Sequence, residues 1–280
     1  MKLNSIAYLV AATASLIGLS GQSAQAGQLY GGWNYAIDSF SDGSGGSVYE
    51  LKGLAVKKTS DSIFVAITGN MPITGNSSNI GFGDLFFNFS GNSFAEANAS
   101  SSLLGVRFAG TNESGVSSTG VYQNANAKSV TSTNNGYDSL KQYYNSGFDR
   151  ENTQGTDLST ADSVYRYYFG DTAADNPTTS NTGSILNVID SGTKVADITL
   201  LTRRELKTAG LKFANFGAAG SQTIGFKFDR TAAFGSDYIA NLFLECANDG
   251  VALEDVPEPF GIVSFAVVGL MGSALLRRKA

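Results

Sequence analysis

Histidine is absent from this chain. Its absence removes Ser-His-Asp and Cys-His catalysis, His-rich zinc sites and the one side chain that titrates near neutrality in its unperturbed state. Cysteine is almost absent as well, since Cys246 stands alone and no internal disulfide can form. In YIANLFLEC the alternation puts Leu242, Leu244 and Cys246 on one side of a strand, opposite Asn241 and Glu245. Cys246 therefore reads as a small buried hydrophobe rather than a reactive thiol. Positive charge is scarce too. Outside the two ends the chain holds 15 of its 19 basic and 23 of its 24 acidic residues, a net −8 that repels a nucleic-acid backbone. A phosphate-binding loop is missing, because GFGD (Gly81 to Asp84) has two glycines but no following Lys-Ser/Thr and no helix; it reads as a turn entering a strand. The glutamates are scattered, and no strand carries an acid pair flanked by aromatic residues. Catalysis is not expected.

What the chain has in quantity is turn residues and short alternating runs. It contains 33 Gly and only 4 Pro, with 42% apolar residues left to build a core. Period-2 alternation recurs in SIFVAIT (Ile63, Val65 and Ile67 on one side), in Val164 to Phe169, Lys194 to Leu201 and Thr223 to Asp229, and in Tyr238 to Cys246. Such runs without intervening helices predict an all-β body, an antiparallel β-sandwich of jelly-roll-like type. One short helix is expected in TRRELKTAG, where Thr202 and Glu205 have capping-box spacing and Gly210 can end the turn. The polar stretches Thr111 to Asn135 and Gly170 to Gly183 read as long loops or an inserted hairpin.

Ligand-binding candidates are few. Trp33 in GGWNYAID and its neighbour Tyr35 are candidate stacking surfaces for a sugar ring. DSFSDG (Asp38 to Gly43) begins like an EF-hand loop, but Phe40 fills a ligand position and Tyr49 stands where the closing Glu belongs. The formal motif fails. Acids at strand ends still leave Asp38, Asp42, Asp84 and Asp249 as candidate calcium ligands, set against the plainer reading that short Asp side chains close turns on their own backbone.

The ends carry the most specific signals. Lys2, an apolar stretch from Ile6 to Leu19, and Ala24 and Ala26 around Gln25 follow the order of a secretory signal cleaved after Ala26 by signal peptidase. At the other end Phe260 to Leu276 is uncharged over 17 residues, about 25 Å of helix, the short limit for crossing a bilayer core. Arg277, Arg278 and Lys279 follow as a cytoplasmic stop. Three segments result: a signal helix at 1–26, a β ectodomain at 27–255 and an anchoring tail at 256–280 with a transmembrane helix.

Val256-Pro257-Glu258-Pro259, directly before that helix and basic end, resembles the PEP-CTERM sorting signal of Gram-negative bacteria. The resemblance implies processing by a membrane exosortase and release or re-attachment at the cell surface or in extracellular matrix. The Ser-Thr usual after the motif is Phe260-Gly261 here. GWNYAIDSFSDGSGG, YELKGLAV, IGFGDLFFNFSG and ECAND (Glu245 to Asp249) are similar to exported β domains of exosortase-dependent surface proteins, several of them cyanobacterial, although ECGND is the commoner form and Ala247 departs from it. The expected function is structural or adhesive, within envelope or exopolysaccharide. A carbohydrate-binding module is the alternative, and a secreted glycosidase the third reading.

Overall fold

The computed structural model describes residues 27–38, 44–139, 142, 166–168, 170 and 184–256. Ala24, Ala26, Asp42, Pro257, Glu258, Pro259, Arg277, Arg278 and Lys279 lie outside the described residues, as do the expected signal helix and transmembrane helix. Among the described residues no helix is long and apolar enough to cross a membrane.

The body is mostly β, with two antiparallel six-stranded sheets. In spatial order the first sheet is β1 (Gln28–Tyr30), β2 (Trp33–Ile37), β3 (Leu51–Lys58), β4 (Ser62–Gly69), β10 (Gln222–Asp229) and β9 (Thr199–Leu200). The second is β12 (Gly250–Glu254), β11 (Ile239–Phe243), β5 (Leu85–Asn88), β6 (Leu103–Arg107), β7 (Gly120–Lys128) and β8 (Val188–Ala196). Each sheet begins as a meander, and the later strands return beside it. In the second sheet β5 to β8 follow one another as a meander, and β11 returns beside β5 after β9 and β10 have been built into the first sheet.

Strand alternation sorts side chains into three apolar layers. Ile63, Val65 and Ile67 of β4 and Ile224, Phe226 and Phe228 of β10 meet Leu85, Phe87, Leu104, Val106, Leu242 and Leu253 of the other sheet in one shared core. The opposite sides of the same strands are also covered. On the first sheet Trp33, Tyr35, Ala55 and Ala66 pack under Leu206 and Phe213; on the second, Phe86, Leu103, Tyr122 and Ile189 pack under Phe94, Tyr167 and Tyr168. Burial on both sides explains why WNYAI and LFFN are nearly continuous apolar runs.

The covering elements are short helices. α2 (Arg203–Thr208) has the expected capping box, with the Thr202 hydroxyl and Glu205 carboxylate each meeting the other's backbone N–H. It lies on the outer side of the first sheet, where Leu206 covers Gly225 in β10. A 3₁₀ helix at Phe213–Phe216 continues this cover. A second helix, α1 (Phe94–Ala99), has its own Ser93–Glu96 capping box and covers the second sheet. SFAE carried that signal in the sequence, and the expectation of one helix passed over it.

Two strand readings are corrected. Residues 166–168, inside the expected strand Val164 to Phe169, are helical, because two adjacent tyrosines serve a single outer cover instead of alternating faces. The stretch Thr111 to Asn135, read as a long loop or an inserted hairpin, contains the single strand β7, paired with β6 on one side and β8 on the other. Val121 faces the shared core, Tyr122, Ala125 and Ala127 face the outer cover, and the small residues that looked uninformative pack there with Phe94 of α1 and Ile189.

Candidate functional site

Trp33 and Tyr35 are both 0% exposed. Trp33 donates its indole N–H to the Ala209 carbonyl at 2.9 Å, and the Tyr35 hydroxyl accepts from the Lys212 N–H at 2.9 Å. Burial lifts the Tyr35 pKa to about 12. Neither ring offers a face to a sugar, because α2 and the 3₁₀ helix fold over both. Their indole and phenol groups anchor that cover instead.

The strand-end acids gather at one pole of the body, but as hydrogen-bond acceptors. Asp84 enters β5 fully buried, its two oxygens accepting from the Asn112 amide and the Ile189 N–H, both at 2.7 Å. Arg107 fixes Asn112 from behind through its Nε at 2.9 Å and bonds the carbonyls of Gly110 and Val116. Asp249 accepts from the Ser44 hydroxyl at 2.8 Å, the Leu51 N–H at 2.6 Å and the Gly250 N–H at 2.8 Å. Asp84 and Asp249, two of the candidate calcium ligands, thus spend their oxygens on N–H and O–H donors of the protein, the role of acids that close turns on the backbone. Asp38 is buried at the end of β2, its N–H donating to the Lys52 carbonyl. Among the described residues no three His, Cys, Asp or Glu side chains converge on a metal-sized space.

Glu245 and Asn187 complete this pole, and neither was a candidate from sequence. Glu245 accepts from the Glu113 N–H at 2.7 Å and the Gly81 N–H at 2.8 Å. Asn187 accepts from the Val130 N–H at 3.1 Å while its amide donates to the carbonyls of Leu244 and Glu245 at 3.0 and 2.8 Å. The backbones approach so closely here that a Cβ on Gly83 would sit 2.1 Å from the Asn187 carbonyl oxygen. Only glycine fits the second Gly of GFGD. Ala247 holds φ 50, the left-handed region that glycine adopts without strain. Cys246 is buried in the shared core as expected, and burial pushes its thiol up to about 11, leaving little thiolate at neutral pH.

The opposite pole is open. At the far ends of β5, β11 and β12, a cleft of about 390 Å³ is lined by Asn88 to Asn92, by Asp237, Tyr238 and Ile239, and by Glu254 and Asp255. The Asn88 side chain bonds Ser90 and Asn92 and so shapes the loop over the cleft. Beneath it Lys58 Nζ pairs with Asp255 Oδ2 at 2.5 Å, donates to the Ser236 carbonyl at 3.1 Å and lies 5.4 Å from the Tyr238 ring centre. Burial raises the Asp255 pKa and Lys58 opposes the rise; Tyr238 is held well above its ordinary value by burial and by the Asp255 charge. A Tyr238 phenolate is thereby excluded as a neutral-pH base.

No protein family, curated protein or solved structure matches the chain. The functional reading rests on its own residues. Sequence reasoning missed the cleft because its walls come from separate stretches, none with a motif. The closed pole was flagged by GFGD, by ECAND and by the strand-end acids Asp84 and Asp249.

Two outcomes follow for the closed pole. Asn187→Ala leaves the Val130 N–H and two carbonyls without partners in a dry environment, at about 1–3 kcal/mol each, so urea denaturation should show a loss above about 3 kcal/mol. Burial also raises Asp84 from an ordinary 3.8 to about 6, and raises Glu245 in the same direction. Between those values the native state binds more protons than the unfolded chain, so stability falls as pH rises from about 4 to about 6 and levels off above. The urea midpoint of the purified protein should therefore be higher at pH 5 than at pH 7, with a shallower slope in Asp84→Asn.

Proposed function

We propose that this chain is an exported protein, sorted by a PEP-CTERM-type tail to the cell surface or extracellular matrix, where the β body has a structural or adhesive role without catalysis. On this reading signal peptidase acts after Ala26, an exosortase reads Val256 to Pro259, and the helix from Phe260 to Leu276 with Arg277, Arg278 and Lys279 is an inner-membrane intermediate. The two sheets are then a jelly-roll-like sandwich, supported by their shared apolar core and by the crossing of the chain between sheets before β11 returns beside β5.

The observation that carries the reading is the meeting of the body's two ends. A Cβ on Gly27 would lie 2.9 Å from Val256 Cγ2 and 2.5 Å from the Glu254 carbonyl oxygen. Asn34 ties the same place together by donating to that carbonyl at 3.0 Å. On this reading a signal ending at Ala26 and a tail starting at Val256 join the body at neighbouring points, an arrangement that suits two segments leading to one membrane.

A carbohydrate-binding module is the second reading, and the open cleft favours it over the buried Trp33 and Tyr35. Asp237, Glu254 and Asp255 around that cleft also keep the glycosidase reading in view, and release of reducing ends from a bound glycan would separate hydrolysis from binding.

Delivery is tested in the producing host by intact-mass analysis. The mature protein should lack the segments before Gly27 and after the Pro-Glu-Pro motif, while Glu258→Ala should accumulate as a larger membrane-bound form. The same mature mass for both proteins would count against sorting.

A further inference from the structure

We propose that the open cleft between the Asn88–Asn92 loop, Asp237–Ile239 and Glu254–Asp255 binds an uncharged sugar unit of a polysaccharide, with Tyr238 and Asp255 as its buried contacts. The inference builds on the carbohydrate reading above and uses nothing from the tail.

Two side chains of the cleft are deeply buried yet incompletely bonded. Tyr238 is 4% exposed and Asp255 is 8% exposed, and both line the cleft. The Tyr238 hydroxyl and Asp255 Oδ1 lie near each other, but neither meets hydrogen-bond geometry with any group of the protein. A buried polar atom left unpaired costs about 1–3 kcal/mol, so two together in one cleft call for a partner from outside.

The chemistry of that partner follows from what is missing. The unpaired atoms are acceptors, or in the hydroxyl's case an acceptor and donor, and the nearest ammonium, Lys58, is already committed to Asp255 Oδ2 and the Ser236 carbonyl. The ligand must bring donors. Asp237 and Glu254 on the exposed rim repel phosphate, sulfate and uronate groups, which leaves hydroxyls on an uncharged ring. Phe89 lines the cleft as a half-buried ring, braced by Phe87 at 6.1 Å with nearly parallel planes and by Phe234 at 5.0 Å. An aromatic wall beside convergent oxygens suits the apolar C–H side and the polar edge of a pyranose. The cleft volume, about 390 Å³, lies at the small end of ligand sites, in keeping with one ring held deeply and its neighbours outside.

The test uses the protein as purified from its host, titrated by calorimetry with short neutral gluco-, manno- and galacto-oligosaccharides and with oligogalacturonate. At least one neutral series should bind, and the uronate should not. Tyr238→Phe should weaken that binding about tenfold, the value of one lost hydrogen bond, while the melting temperature stays the same or rises, because the hydroxyl removed has no partner inside the domain. Asp237→Asn, on the exposed rim, should bring uronate binding closer to neutral binding. Absence of binding to every neutral series, equal or tighter uronate binding, or full affinity in Tyr238→Phe would overturn the proposal; the last result would mean that water alone fills the site. Tail processing is read by mass in a separate experiment, so the two readings fail independently.

Discussion

Buried carboxylates that accept backbone N–H groups hold the body's shape. Asp84, Glu245 and Asp249 stand at the ends of strands, and between them they take the N–H groups of Gly81, Glu113, Ile189, Leu51 and Gly250. Loops that pass over a core carry donors that no sheet ladder satisfies, and a chain with a lone cysteine has no disulfide to fix them. Short acidic side chains do that work here. The cost is desolvation, which pushes Asp84 and Glu245 toward their neutral forms. Arg107 and Asn112 offset part of it at Asp84.

One pole is closed by these bonds and the other holds an open cleft. β5, β11 and β12 each run from the closed pole to the cleft or back, four or five residues, about 15 Å of strand. Asp84 and the Asn88–Asn92 loop sit at the two ends of β5; Asp249 precedes β12 and Asp255 follows it. At the first pole every carboxylate oxygen of Asp84 and Glu245 receives a donor from the protein. At the second, Tyr238 and Asp255 keep valences that the domain leaves open, next to the meeting of Gly27 and Val256.

Much of this was legible in the sequence. Alternation of bulky residues located β4, β10 and β11, the Thr202–Glu205 spacing located α2, and the side of the strand assigned to Cys246 was right. Where the pattern was carried by Ala, Gly and Asn, as in β7, alternation of volume gave too little signal, although Gly120, Val121, Tyr122, Ala125 and Ala127 of that strand are buried in the folded chain. Trp33 and Tyr35 were misjudged because aromaticity reports a capacity to stack and not what a distant helix will cover. Tyr238, Asp255 and Lys58 could not be grouped in advance: β3 and β12 contact each other only through the face-to-face packing of the two sheets.

The central claim is that one pole is locked by carboxylates while the other is open, and native-state hydrogen exchange tests it most directly. Gly81 and Glu113 are loop residues whose N–H groups end on Glu245 alone. They should exchange as slowly as Val65 in the centre of β4, and Gly91 and Asn92 at the cleft should exchange at rates typical of open loops. Fast exchange at Gly81 and Glu113, equal to that of the cleft loop, would contradict the account.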